Sequence, residues 1–213
     1  MNDASERAAV KEGEVSGGGQ RFCYREAGAG SVVVCLGDGE HRSPMRALLA
    51  ERYRVVELLL PEIAMPSGHA ISEALGALGI ERFDLVAHGA CAVPALQLAF
   101  ELPEAVSALA LLGPSLIASN GEAAQRADET LAGRLGQLKT PILAVFGTKD
   151  TVAPAEAGRH YRARIPGCNL VFVYDAGHAM EEERPEAVAA LLFDFLERHE
   201  QFLVSRDSGL IYP

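Results

Sequence analysis

The sequence predicts an α/β fold: a mostly parallel central sheet covered by helices on both faces. Three observations carry that expectation. Short apolar runs such as Val32-Val33-Val34-Cys35-Leu36 are continuous rather than alternating, as in strands buried on both faces. Stretches with helical spacing lie between these runs, so strand and helix alternate as βαβ units. The 213 residues are 49% hydrophobic and 23% charged, which fits one globular domain and excludes a disordered chain.

Residues 1–19 end in Ser16-Gly17-Gly18-Gly19 and read as a flexible lead or a hairpin turn. Gln20 to Arg25 is a short strand, and Ala27-Gly28-Ala29-Gly30 a turn. Val32 to Leu36 is the first buried strand, closed by Gly37-Asp38-Gly39. Ser43 to Tyr53 is helical, with Met45, Leu48 and Leu49 on one face. Arg54 to Leu60 is a strand stopped by Pro61. His69 to Leu78 is a helix, Phe83 to Ala87 a strand, Ala90 to Leu102 a helix, and Val106 to Leu112 a strand ended by Gly113-Pro114. Residues 116–139 are mostly polar, a loop with one short helix. Pro141 to Phe146 is a strand, and Ala155 to Arg164 a helix behind Pro154. Leu170 to Val173 is a strand, and Pro185 to Arg198 a periodic closing helix. The domain so defined spans 20–199. Residues 200–213 form an apolar tail, either docked on its own domain or serving as a homodimer contact; the first reading is preferred.

Composition narrows the function. The chain carries 29 acidic and 19 basic residues, a formal net charge of -10. Nucleic-acid binders show basic patches, and anionic membranes attract basic segments, so neither partner is expected. The cysteines Cys23, Cys35, Cys91 and Cys168 form no CxxC pair and have no zinc spacing. They read as reduced thiols of a cytoplasmic protein. No cofactor or metal motif is found. The first residues are polar and do not resemble a signal peptide.

Three segments carry chemistry. Ile80 to Cys91 is a strand running into His88-Gly89-Ala90 and then a helix. Pro141 to Asp150, followed by Val152-Ala153-Pro154, is a strand ending in an acid. Asp175-Ala176-Gly177-His178 precedes the last helix. Together they resemble the α/β-hydrolase superfamily, in which nucleophile, acid and histidine follow in this order. The resemblance covers about residues 20–199. It implies that Asp150 and His178 form a hydrogen-bonded dyad with Asp150 orienting the imidazole.

The resemblance departs from the family pattern at Ala87 and Cys91, where the flanking glycines usually stand, at Leu59, and most consequentially at residue 89. Gly89 stands where the family carries its nucleophilic serine, and no Gly-x-Ser-x-Gly occurs in the chain. Glycine offers no atom to attack a carbonyl, whereas it does tolerate the positive φ of that turn. Ala90 follows it, His88 precedes it as a structural residue, and Ser115 lies just past the neighbouring strand. Leu36-Gly37-Asp38 is the best match to the family's oxyanion loop, with a two-residue slip to Asp38-Gly39-Glu40 as the alternative. A carboxylate there opposes a developing oxyanion, unless burial keeps it protonated; a turn aspartate is the simpler reading.

The expectation is a hydrolase-fold protein without serine-hydrolase activity, binding a small organic ligand or a protein partner. The alternative is a non-covalent enzyme using His178 and Asp150 as a general base, on a carbon acid or a water. A second alternative is an ordinary esterase with a displaced nucleophile. Residues 113–140, where relatives insert a cap, are few, so a reduced cap and an open site are expected.

Overall fold

The computed structural model describes residues 10–37, 43–61, 65–115, 131, 133–202 and 210–211. The described strands are β1 (Lys11–Gly17), β2 (Gln20–Ala27), β3 (Val32–Gly37), β4 (Arg54–Leu59), β5 (Phe83–His88), β6 (Val106–Leu112), β7 (Ile142–Gly147), β8 (Asn169–Val173) and β9 (Leu210–Ile211). They form one sheet in the order β1-β2-β4-β3-β5-β6-β7-β8-β9. β1 and β2 are antiparallel to their neighbours, and every pairing from β4 to β9 is parallel. The described helices are α1 (Pro44–Leu49), α2 (Gly68–Ala77), α3 (Ala92–Glu101), α4 (Ala155–Arg164), α5 (Met180–Glu183) and α6 (Pro185–Arg198).

Two apolar layers explain why the strand runs are continuous. On one face Val34, Leu36, Leu85, Leu109 and Phe146 pack with α2, α3 and α4. On the other, Val33, Val55, Ala110 and Val145 pack with α1 and α6. Neighbouring residues of a strand face opposite sides, and both sides are covered, so no polar alternation survives.

The expected flexible lead requires correction, because residues 11–17 form β1. Its register on β2 sets Glu12 opposite Arg25 and Glu14 diagonal to Arg21, and both pairs are ion-paired on the outer face. Val15 faces inward, and Gly17 lies so close to α2 that a Cβ would fall 2.1 Å from the Ala70 carbonyl oxygen. A strand with one buried apolar side chain shows no apolar periodicity, so its charged sequence reads as a lead. The turn expected at Gly17-Gly18-Gly19 connects this hairpin.

Smaller differences follow from local geometry. The helix expected over Ser43 to Tyr53 ends at Leu49, because the chain turns to let Arg54 N–H reach the Ser31 carbonyl at 2.9 Å. The helix expected from Ala90 opens instead with a 3-10 turn, Gly89–Cys91, before α3. Phe202 packs edge-to-face on Phe195, and β9 pairs with β8. The described parts of the tail therefore dock on their own domain. Residues 116–130, most of the expected reduced cap, lie outside the described residues, as does Asp38.

Candidate active site

The site forms at the carboxyl ends of β5, β6 and β7, where the strands hand over to loops. β5 ends at His88 with extended backbone (φ -107, ψ 141), and the chain then reverses through Gly89 at φ +55. That left-handed conformation costs an L-residue about 1–2 kcal/mol and glycine almost nothing. Gly89 itself is buried while Ala90, the next residue, is exposed. Ala90 contributes one of the first N–H groups of the turn, which have no partner within a helix.

Asp150 lies just beyond β7, and its carboxylate is fully enclosed. Oδ1 accepts from the backbone N–H groups of Val152 and Ala153, both at 2.8 Å. Oδ2 accepts from His178 Nδ1, also at 2.8 Å. The sequence Asp150-Thr151-Val152-Ala153 folds this way because an aspartate side chain caps N–H groups two and three residues on. With Nδ1–H donating to Asp150, the remaining nitrogen, Nε2, carries the lone pair and is the basic atom of the imidazole.

The histidine loop is tied down on every side. Gly177 N–H donates to Glu183 Oε2 at 2.7 Å, and Lys149 N–H to the Ala176 carbonyl at 2.8 Å. His88 Nε2–H donates to the His178 carbonyl at 2.9 Å, and the two rings tilt together at 4.6 Å. His88 thus links the elbow to the histidine loop. Glu181 is buried three residues past His178 and accepts from Arg46 at 3.0 Å; Arg46 also pairs with Glu57 on β4. This buried network is invisible in the sequence, since nothing in the spacing of residues 46, 57 and 181 relates them.

The dyad faces Gly89. A Cβ built on Gly89 would lie 3.3 Å from His178 Nε2 and 3.9 Å from Ser115 Oγ. Ser115 is half-buried beside the elbow, its N–H donating to the Gly89 carbonyl at 3.2 Å. Gly113, noted in the sequence only as a strand end, has a second role. It also has a left-handed backbone (φ +50), and a Cβ there would meet Asp150 Oδ2 and His178 Nδ1, both at 3.1 Å. The dyad's hydrogen bond occupies the space that a side chain at residue 113 would need.

The other candidates stand apart from this centre. Gly37 ends β3 under the Arg46 guanidinium, 2.7 Å from where its Cβ would be. Cys91 is buried in the core rather than at the turn tip. Burial pushes the Cys35 and Cys168 thiols up to about 12, which removes the thiolate a nucleophile needs. Among the described residues, no cluster of three or more metal-ligating side chains occurs, and no helix is long and apolar enough to cross a membrane.

No family model matches the chain. A pimeloyl-[acyl-carrier protein] methyl ester esterase of Neisseria meningitidis is 38% identical over 84 residues, 39% of this chain and 26% of that protein. The matched stretch thus spans only about a quarter of that relative's length. A putative carbamate hydrolase, RutD, of Klebsiella pneumoniae is 27% identical over 247 aligned positions, 78% of this chain and 92% of the relative. That span exceeds the 213 residues of this chain, so the relative carries extra residues inside it. Among solved structures, the 2-hydroxy-6-oxo-6-phenylhexa-2,4-dienoate hydrolase of Rhodococcus superposes with a TM-score of 0.75 at 18% identity, covering 89% of this chain and 99% of that one. Carboxylesterase CesB of Bacillus subtilis gives 0.72 at 15%, covering 88% and 92%. Strand order, site placement and these likenesses agree: the chain is an α/β-hydrolase-fold protein.

Proposed function

We propose that this protein binds a small organic ligand over Gly89 and does not act as a serine hydrolase. One observation carries the reading. The tip of the elbow, in the left-handed backbone suited to a nucleophile, is a glycine whose missing Cβ would sit 3.3 Å from the basic nitrogen of His178. Without an oxygen or sulfur on residue 89, no acyl-enzyme forms at the elbow. The relatives are named as esterases and hydrolases, so a ligand of their general kind, a carbonyl compound, is the natural occupant. Incubation of the purified protein with a fluorophosphonate probe tests this reading. No covalent adduct is expected, and an adduct on any serine overturns it.

A second reading is favoured by the state of the dyad. Asp150 is fully enclosed and accepts three hydrogen bonds, one of them from the imidazole, whose Nε2 is turned toward residue 89. A base so oriented can take a proton from a bound carbon acid or water without a covalent intermediate. Turnover of a ligand bound over Gly89, abolished in His178→Ala, supports general-base chemistry. Binding without turnover supports the plain binding role.

A further inference from the structure

The volume over Gly89 has a second polar wall. Ser115 Oγ would lie 3.9 Å from a Cβ on Gly89, and His178 Nε2 3.3 Å from it. Neither atom is used in a hydrogen bond among the described residues. Ser115 is fixed there by its own N–H bond to the Gly89 carbonyl. Two polar atoms without a hydrogen-bond partner among the described residues, both beside the position that a Cβ on residue 89 would take, are what a bound water requires.

We propose that this space holds a water molecule that is the nucleophile of a direct ester hydrolysis. The water donates one hydrogen to His178 Nε2 and the other to Ser115 Oγ, which leaves a lone pair for the substrate. Ser115 is thus a positioning residue. The proposal rests on the reading that residue 89 supplies no nucleophile, and it names the substrate class as carboxylic esters with a good leaving group. Hydrolases that lose a member of the triad keep only about 10³–10⁴ of rate acceleration over water, so unactivated esters are out of reach.

The step balances. As the water oxygen bonds to the ester carbonyl carbon, one water proton passes to His178 Nε2, and Asp150 stabilises the imidazolium. The tetrahedral intermediate then collapses, the bond between the carbonyl carbon and the leaving oxygen breaks, and His178 returns its proton to that oxygen. Ester and water become acid and alcohol, with nothing left on the protein.

Hydrolysis of p-nitrophenyl acetate by the intact protein tests this, with the His178→Ala variant as baseline. The wild type should release nitrophenol linearly, without a burst, and faster than the baseline. Ser115→Ala should lower kcat about 10-fold, the loss of one hydrogen bond in the transition state, with KM and melting temperature unchanged. Ser115→Thr, which keeps the hydroxyl, should restore most of the rate. Wild-type activity no higher than baseline, an unchanged rate in Ser115→Ala, or equal losses in the Ala and Thr variants overturns the proposal. Those outcomes leave the absence of a serine nucleophile standing. A burst with an acylated serine would overturn both.

Discussion

The two halves of the site differ in what holds them. The acid–histidine half is held by side chains: Asp150 with three hydrogen bonds, His178 braced by His88 through its carbonyl, and the following Glu181 clamped by Arg46. The elbow half is held mostly by backbone, a strand, a left-handed residue and a helical turn, with the His88 side chain as its link to the histidine loop. The left-handed backbone at residue 89 is set by the flanking strand and turn and needs no hydroxyl there. The acid half has no such independence, since its geometry is made of the chemical groups themselves.

That contrast predicts a ranking of mutational effects. Asp150→Ala removes the acceptor of two backbone N–H groups and of His178 Nδ1–H at once. Each buried unsatisfied donor costs about 1–3 kcal/mol, so a loss of about 3 kcal/mol in urea unfolding is expected. Gly113→Ala forces a side chain into a left-handed backbone and against the dyad's hydrogen bond. It should cost about 2 kcal/mol, and His178 should move in the crystal structure of the variant. Gly89→Ser meets the same backbone penalty but only the edge of the His178 ring, so about 1 kcal/mol is expected. A Gly89→Ser loss as large as that of Asp150→Ala would erase the distinction between the two halves.

The smallest effect on the site comes from the opposite end of β5. Burial raises the carboxyl of Asp84 to about 6, partly countered by His199 and Arg82. Its folded value exceeds its unfolded value, so its contribution is fully present below about pH 4 and is lost as pH rises through about 6. Asp84→Asn should flatten the pH dependence of the urea midpoint across that window and leave the site unaffected. An unchanged pH profile in the variant would show that Asp84 is not the responsible group.

Much of this was legible in the sequence because both-face burial leaves continuous apolar runs. Val32 to Leu36, Val106 to Leu112 and Pro141 to Phe146 each mark a central strand to within a residue or two. β1 was not legible, since an edge strand with one inward Val15 and cross-strand ion pairs has the composition of a polar lead. The dyad was legible from family order, and its 2.8 Å hydrogen bond agrees. Gly113 and the Arg46–Glu57–Glu181 network were not, because their roles arise from contacts between distant segments that no spacing encodes.

The central proposal is that Gly89 stands where a nucleophile would face the Asp150–His178 dyad. Treatment of Gly89→Ser with a fluorophosphonate probe, with the adduct located by peptide mass, tests it most directly. The account predicts an unlabelled wild type, labelling of the variant at residue 89, and loss of that labelling when His178→Ala is added. A correctly folded Gly89→Ser variant that stays unlabelled would contradict it.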